Sequence, residues 1–215
     1  MTGAPEIAAA RAEHVEKFAP LLPDLVRATG PLSYDYQFGK RPGFFDDFIA
    51  ASWRTPDTLF GHDVARVALS SGELAGIEIG FDGPDFYRRR DALAQVSAVL
   101  IATGRATLPE LRALASRSEK ASYLNAYIPD GVYYVLALSV RERQRGRGVG
   151  ARLLLHAIER ARGAGHRALQ LDVLADNPAV RFYQAMGLDV LAETRSPELS
   201  DEHGFPSELR MGIAF

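Results

Sequence analysis

The chain has 215 residues, of which 47% are hydrophobic and 24% charged, and its formal net charge is −2. These values are typical of a globular domain with a sizeable core, and they exclude an overall charge that would draw the protein to nucleic acid or to a membrane. The chain has no cysteine, which excludes a disulfide framework, a thiolate nucleophile and a cysteine-based zinc site.

The length fits a single domain over residues 1–215. The first residues lack the basic and apolar regions of a signal peptide, and no apolar run is long enough to span a bilayer. We therefore expect a cytoplasmic protein with no membrane or nucleic-acid partner. The oligomeric state stays open, and a homodimer is compatible with the sequence.

Hydrophobic spacing predicts the elements of the first part of the chain. Residues 6–12 suit a first strand, although their alanines also suit a helix, and residues 15–28 have helical spacing that Pro23 limits. A composition rich in Tyr, Phe, Gly and Pro predicts a loop over residues 30–43. A short helix follows at residues 44–53, and then a hairpin of two strands at residues 64–70 and 74–81.

The second part begins with residues 84–120, whose helical spacing predicts a helical insertion. The apolar run 133–140 predicts a central strand, and a glycine-rich turn then leads into a helix over residues 150–162. The remaining residues are predicted to form a strand (169–174), a short helix (178–186), a strand (188–192), a loop (201–206) and a last strand (207–213).

The turn between the central strand and the helix has glycine at every second position, at Gly146, Gly148 and Gly150. The first N–H groups of a helix have no partner inside it, and they point along a dipole that favours anions. Glycine lets the backbone approach a phosphate closely. Residues 141–167 also hold eight arginines and two acids, a local balance of +6. These features predict a diphosphate site, with a merely connecting turn and a solvated arginine-rich face as the alternatives.

Three diphosphate-binding templates can be compared with this turn. A P-loop is excluded because no Lys-Ser or Lys-Thr follows the glycines. The dinucleotide motif G-x-G-x-x-A fits residues 146–151, and Asp172 stands at the spacing of a ribose-binding acid. However, the residues that remain are too few for the second half of a doubly wound sheet. An NAD-type oxidoreductase therefore stays as an alternative.

The third template is the coenzyme A turn of the GNAT acetyltransferases, whose signature is Arg/Gln-x-x-Gly-x-Gly/Ala. Arg145, Gly148 and Gly150 match this signature. A second match begins one step earlier, at Arg143, but the later register is preferred because Gly150 leads directly into the helix.

A second segment strengthens the resemblance. Residues 177–188, from Asn177 to Leu188, resemble the family's Asn-x-x-Ala-x-x-x-Tyr segment that ends in Gly-Phe. The alanine lies nearer the asparagine here, and Leu188 replaces the final Phe. The chain thus resembles the GNAT family over about residues 133–192, whereas the earlier part resembles it only in the order of elements.

This resemblance implies an α/β fold: a mixed, mostly antiparallel sheet flanked by helices, with the helical insertion before the central strand. It implies acetyl-CoA as cosubstrate and transfer to a primary amine, on a small molecule or a peptide, by direct attack in a ternary complex. A non-catalytic acyl-CoA sensor would use the same turn and stays as an alternative. The coenzyme-binding residues that the resemblance implies are Leu138, Ser139, Val140, Arg145, Gly146, Arg147, Gly148, Val149, Gly150 and Asn177.

The resemblance also implies roles for individual groups. The central strand is expected to splay from its neighbour and offer free backbone groups to the pantetheine arm, and an N–H near Leu138 is expected to stabilise the oxyanion. Tyr183 is expected to face the coenzyme sulfur and to assist the departing thiolate, although it could also be a plain core residue. Asn177 before Pro178 is sufficiently explained as a helix cap, and a coenzyme contact would be additional.

The group that accepts the amine proton cannot be identified from the sequence. Glu78, a carboxylate in an apolar strand, is our candidate, although strand alternation could turn it to solvent. Tyr127 and His203 are weaker candidates. No two histidines stand at metal-ligand spacing with an acid, so no metal is predicted.

Overall fold

The computed structural model describes residues 5–215, so most of the segment on which the signal-peptide argument depends lies outside the described residues. The first part of the chain is mainly helical. It forms β1 (Glu6–Ala9), α1 (Ala12–Phe18), α2 (Leu22–Arg27), α3 (Pro31–Phe38), α4 (Phe44–Arg54), β2 (Ala65–Ser70), β3 (Glu73–Asp82), α5 (Asp85–Asp91), α6 (Leu93–Ala102) and α7 (Leu108–Ala121).

The second part alternates strands and helices. It forms β4 (Val132–Val140), α8 (Val149–Gly163), β5 (Ala168–Leu174), α9 (Ala179–Ala185), β6 (Asp189–Thr194), α10 (Pro197–His203) and β7 (Glu208–Ala214). Short 3-10 turns precede α2, β2 and the glycine-rich turn, and another follows α7. The described residues contain no helix with the length and apolar character needed to cross a membrane.

The seven strands form one sheet in the order β1-β2-β3-β4-β5-β7-β6. The pair β4–β5 is parallel, and the five other pairs are antiparallel. This sheet is mixed, mostly antiparallel and flanked by helices, so the predicted fold class is confirmed. It also differs from a doubly wound sheet, whose strands are mostly parallel.

Strand alternation gives the sheet two apolar faces, each covered by helices. On one face, buried residues of α8 such as Leu154 and Ala157 pack against β4, β5 and β7. On the other face, α2, α4 and α6 cover β3 and β4 around the buried Trp53. The Trp53 indole N–H donates to the Val15 carbonyl at 2.9 Å, which satisfies its polar group within this core.

The predicted insertion is helical as expected and comprises α5, α6 and α7. Helix α5 contacts β3, α6 contacts α4, and α7 contacts α3, so the insertion extends the face opposite α8. Helix α7 begins at a capping box, in which Thr107 accepts from the Glu110 N–H and the Glu110 carboxylate accepts from the Thr107 N–H.

The predicted loop over residues 30–43 is wrong, because residues 31–38 form α3. Pro31 stands in the first turn of this helix, where a missing N–H costs no hydrogen bond. At its end, Phe38 packs edge-on against Phe45 with ring centroids 5.0 Å apart. These contacts stabilise a helix that composition alone does not indicate.

The predicted loop around His203 is also wrong in part, because His203 is the last residue of α10. Ser196 caps this helix by accepting from the Leu199 N–H at 3.3 Å. Gly204 ends it in the left-handed conformation, with φ 70°.

Candidate active site

Strands β4 and β5 pair in parallel over a short stretch and then diverge, and we call this divergence the splay. Residues 132–135 pair with residues 168–171, and the two strands then part. In the pairing of β4 with β3, Gly80 lies opposite Val135 and Ile79 opposite Ala137, so Leu136 forms a bulge. A bulge bends its strand, which accounts for the parting. Residues 136–140 therefore have no strand partner on their β5 side, and the expected splay is present.

The turn after β4 positions the start of α8. Gly146 and Gly148 have φ of 73° and 77°, in the left-handed region that favours glycine, and Gly148 precedes the first residue of the helix. The first helical bond runs from the Arg152 N–H to the Gly148 carbonyl at 3.1 Å. Within residues 5–215, the N–H groups of Gly150 and Ala151 have no acceptor. They are therefore available to a phosphate.

A polar cleft of about 420 Å³ lies beside this turn. Arg143, Arg145 and Arg147 are exposed, and none of them has an ion-pair partner in the part of the chain that the structure describes. The Arg145 Nε donates to the Val140 carbonyl at 3.2 Å, which holds this arginine against the strand end. The cleft is lined on one side by Ser139, Val140, Arg141, Glu142, Arg143 and Arg145, and on the other by Leu21, Asp24, Leu25 and Ala28.

The start of α8, the end of β4 and helix α9 meet at Gly150. A Cβ at this glycine would lie 3.6 Å from Val140 Cγ2 and 3.7 Å from Phe182 Cζ, so a larger side chain would fill the space between the three elements. Leu138 and Val140 are half-buried here, whereas Ser139 is buried. The structure thus places the predicted coenzyme residues of β4 and α8 side by side along the splay.

Asn177 has the predicted cap contact and a second contact that the sequence did not indicate. Its Oδ1 accepts from the Ala179 N–H at 2.9 Å, at the start of α9. Its Nδ2 donates to the Thr29 carbonyl at 3.4 Å and so ties α9 to the end of α2. These contacts explain Asn177 without a ligand, and its coenzyme contact stays a prediction.

Tyr183 lies on α9 in the core that α8 shares with the sheet, with 7% of its surface exposed. Its hydroxyl has no hydrogen-bond partner among residues 5–215. Burial raises the pKa of this phenol from 10 to about 12. A hydroxyl without a protein partner is free to donate to a ligand.

Glu78 is enclosed between β3 and α8 and has no exposed surface. Its carboxylate accepts from the Tyr133 hydroxyl at 2.7 Å and pairs with Arg160 Nη2 at 3.2 Å. Burial raises the pKa of this carboxyl, and the Arg160 charge opposes that rise. A proton acceptor must reach the amine directly or through one water. The burial and pairing of Glu78 therefore indicate a structural ion pair and argue against the role that we assigned to it.

The two weaker candidates lie at the surface. Tyr127 is 69% exposed and stacks on Tyr87 with ring centroids 6.3 Å apart. His203 is exposed and contacts the Tyr36 ring, with centroids 4.7 Å apart. Neither contact gives these side chains a specific chemical role.

A polar cluster, of which the sequence analysis considered only Asp172 as a possible ribose-binding acid, lies on the sheet face opposite α8. Asp172 accepts from the Tyr134 hydroxyl and from Arg210 Nη2, each at 2.9 Å. Glu208 lies on the same strand as Arg210, and burial raises the pKa of its carboxyl to about 8, with the Asp172 charge adding to the effect and Arg210 opposing it. The Asp172 carboxylate thus has partners in the fold and is not presented to a ribose. Within residues 5–215, no group of three or more acids and histidines could hold a metal ion.

Comparison with known proteins shows what the chain and its fold are similar to. Residues 106–188 match the model of the acetyltransferase (GNAT) family, and no curated protein matches the chain. Among solved structures, an N-acetyltransferase from Staphylococcus aureus Mu50 has a TM-score of 0.71 at 15% identity, covering 97% of this chain and 100% of its own. An agmatine N-acetyltransferase mutant scores 0.60 at 17% identity, covering 99% of this chain and 100% of its own. A Bacillus acetyltransferase in complex with CoA scores 0.51 at 14%, covering 99% and 98%.

The fold and the family match support the class of an acyl-CoA-dependent acetyltransferase. The segment that matches the GNAT family model runs from two residues before α7 to the residue before β6.

Proposed function

We propose that the protein is an N-acetyltransferase that moves an acetyl group from acetyl-CoA to a primary amine. The observation that carries this proposal is the splay of β4 from β5 beside a glycine-arginine turn at a helix start. Two of the similar structures are N-acetyltransferases, one of which is described as acting on agmatine, and this supports an amine acceptor.

The residues of the splay suit the parts of acetyl-CoA. The free N–H groups of Gly150 and Ala151, with the unpaired Arg143, Arg145 and Arg147, would hold the diphosphate. The unpaired backbone of residues 136–140 would receive the pantetheine arm, and an N–H near Leu138 would stabilise the oxyanion. The bound thioester supplies the activated acetyl group.

The amine would attack the thioester carbonyl directly, in a ternary complex. A covalent acyl-enzyme through cysteine is excluded because the chain contains none. The Tyr183 hydroxyl has no protein partner among the described residues and would donate a hydrogen bond to the departing sulfur. With a pKa of about 12 against about 8.5 for a thiol, the phenol would retain its proton in this contact.

Calorimetric titration with acetyl-CoA, CoA and NAD tests the coenzyme site. We expect the wild-type protein to bind both coenzyme A forms and not NAD, and Gly148→Glu to lose at least 100-fold in affinity because a carboxylate would stand beside the phosphates. Gly104→Glu is a matched control, since Gly104 also has a left-handed φ, of 67°, and no atom within 4 Å of an added Cβ, but lies between α6 and α7.

Equal loss in both glycine variants would point to folding defects and not to a phosphate site. Binding of NAD, or of no coenzyme A form, would reopen the dinucleotide alternative or a non-enzymatic role. Normal acetyl-CoA binding without transfer to any amine would favour the non-catalytic sensor.

A further inference from the structure

The sheet face opposite α8 holds four polar side chains around the splay. In the pairing of β5 with β7, Asp172 lies opposite Arg210 and Leu174 opposite Glu208. Because side chains alternate along a strand, Asp172, Arg210 and Glu208 lie on the same face, and the bond from Tyr134 to Asp172 places Tyr134 there too. Tyr34 of α3 is close enough for the Glu208 charge to raise the pKa of its phenol.

Arg210 and Asp172 form a closed ion pair. Two of the five guanidinium N–H groups donate to Asp172, and the other three donate to Gln170 Oε1 and to the carbonyls of Ala126 and Tyr127. Arg210 has no N–H left for Glu208. Within residues 5–215, the Glu208 carboxylate has neither a hydrogen-bond donor nor an ion-pair partner.

This unpaired carboxylate borders the splay. Glu208 is opposite Leu174, three positions beyond the last β4–β5 pair at Leu171. Tyr183 belongs to the core on the other face of the sheet, with Leu171 and Val173. The splay therefore lies between a free phenol on the α8 face and a free carboxylate on the opposite face.

A second cavity, of about 140 Å³, leads to the same polar group. Tyr134 and Asp172 line it together with Phe86, Tyr87, Ile128 and the cationic side chain of Arg90. Asp172 is the acid of this lining, and Arg210 already pairs with it. The cavity therefore offers aromatic and apolar surface to the body of an amine beside this polar group.

We infer that Glu208 is the group that takes the proton from the incoming amine. This inference rests on the proposed function. The ammonium transfers one proton to the Glu208 carboxylate, and the neutral nitrogen attacks the acetyl carbonyl. The C–N bond forms, the C–S bond breaks, and the second nitrogen proton passes to the departing sulfur. The products are the amide and the CoA thiol, and Glu208 returns its proton to solvent.

The charges around Glu208 suit this role. Burial and the Asp172 charge raise the pKa of its carboxyl to about 8, and Arg210 limits the rise. The phenols of Tyr34 and Tyr134 face it from α3 and β4, and burial raises the pKa of each above 10, so both stay neutral below that pH. A base with a pKa near the working pH is effective, because it is ionised and still accepts a proton readily.

Steady-state transfer from acetyl-CoA to tyramine, agmatine and spermidine tests the inference. We expect Glu208→Gln to bind acetyl-CoA as wild type does, but to lose at least about 100-fold in kcat/KM for the accepted amine, as removal of a general base does. It should also lose the rise in kcat/KM through about pH 8 that we expect of the wild type. Glu208→Asp should keep the rise with a smaller loss. Glu193→Gln, on the neighbouring strand β6, is the matched control and should change neither.

Two failures are distinguishable. A wild-type protein that transfers acetyl, with Glu208→Gln matching its rate and pH profile, would overturn the role of Glu208 alone. A wild-type protein that does not bind acetyl-CoA, or that binds it and acetylates none of the three amines, would overturn the proposed function and the role of Glu208 with it.

Discussion

Tyr183 is a largely buried side chain whose hydroxyl has no protein partner among residues 5–215. We predict that Tyr183→Phe lowers kcat about 10- to 100-fold, because the departing thiolate would lose one charge-assisted hydrogen bond, which contributes about 1.5–3 kcal/mol. The KM for acetyl-CoA should change little, since the phosphate contacts lie elsewhere. Steady-state kinetics with an accepted amine measure both constants.

Tyr123→Phe is the matched control for this variant, because Tyr123 is 73% exposed and lies outside the splay. Its kinetics should equal those of the wild type. If Tyr183→Phe also keeps the wild-type kcat while the protein is active, the hydroxyl has no part in departure of the sulfur. Tyr183 would then be a core residue of α9.

Glu78 illustrates the limit of residue-level interpretation from sequence. A carboxylate in an apolar strand signals an unusual environment, and that signal was correct, since Glu78 is fully buried. Its partner Arg160 is 82 positions away and faces it only because α8 packs across β3. No spacing in the sequence indicates that contact, so ion pairing and catalysis could not be distinguished before the structure.

At the scale of elements, the pair of Glu78 and Arg160 joins β3 to α8. We predict that Glu78→Ala lowers the free energy of unfolding by about 3 kcal/mol, because it leaves a largely buried guanidinium without its counter-ion. Urea unfolding measures this loss. Glu73→Ala on the same strand is the control, since its contact with Lys17 at 3.6 Å is solvent-exposed and should contribute less than about 1 kcal/mol.

The Glu78→Ala variant also tests whether this carboxylate has a catalytic role or only a structural one. Folded Glu78→Ala protein should keep kcat within a few-fold of the wild type if the carboxylate serves packing alone. A 100-fold loss of kcat at full stability would restore Glu78 as the proton acceptor. It would then contradict the role that we assign to Glu208.

Elements with strong local signals were predicted well, and elements that depend on distant contacts were not. The strand at β4, the glycine turn and α8 follow from an apolar run, three alternating glycines and a helical stripe, all local features. Helix α3 was missed because its stability comes from aromatic contacts with α4, including those of Phe38. The short parallel pairing that creates the splay depends on the bulge at Leu136, and no residue type in the sequence indicates this bulge.

For the same reason, the sequence indicated the coenzyme part of the candidate site but not the part that we propose for the acceptor. The coenzyme half is nearly continuous in sequence, from β4 through the turn to α8, so a single motif indicated it. The acceptor half combines Tyr34, Tyr134, Asp172 and Glu208 from four separate elements. One local signal existed, since Glu208 and Arg210 alternate with apolar residues in β7, but only the fold shows that Arg210 is already paired with Asp172.

At the scale of the whole molecule, charge is divided between the two sides of the splay. Residues 141–167 carry a local balance of +6 in a chain whose net charge is −2, and they supply the cationic side. Asp172 and Glu208 lie on the opposite face. Because Arg210 pairs with Asp172, Glu208 is the acid of these two that is left for a cationic amine, whereas the exposed arginines of the turn suit an anionic coenzyme.

The half-buried carboxylate of Glu208 should also reduce the stability of the whole protein, and this effect depends on pH. The folded pKa of Glu208, about 8, lies above the ordinary value of 4.5, so the folded state favours the protonated form. That contribution is fully present below about pH 4.5 and is lost as the pH rises through about 8. We therefore predict that Glu208→Gln gains stability relative to the wild type between pH 5 and pH 9.

The size of this gain follows from the shift. Each unit of pKa shift corresponds to about 1.4 kcal/mol, and partial exposure of the carboxyl reduces the effect. We therefore expect Glu208→Gln to gain about 2 kcal/mol in the free energy of unfolding at pH 9 and close to none at pH 5. Urea unfolding at pH 5, 7 and 9 measures it, with Glu193→Gln as control. If the free energies of unfolding of the wild type and of Glu208→Gln differ by the same amount at all three pH values, Glu208 titrates as an ordinary carboxyl. A variant that gains stability while losing transfer would show that the protein keeps a destabilising carboxylate beside the splay because the reaction requires it.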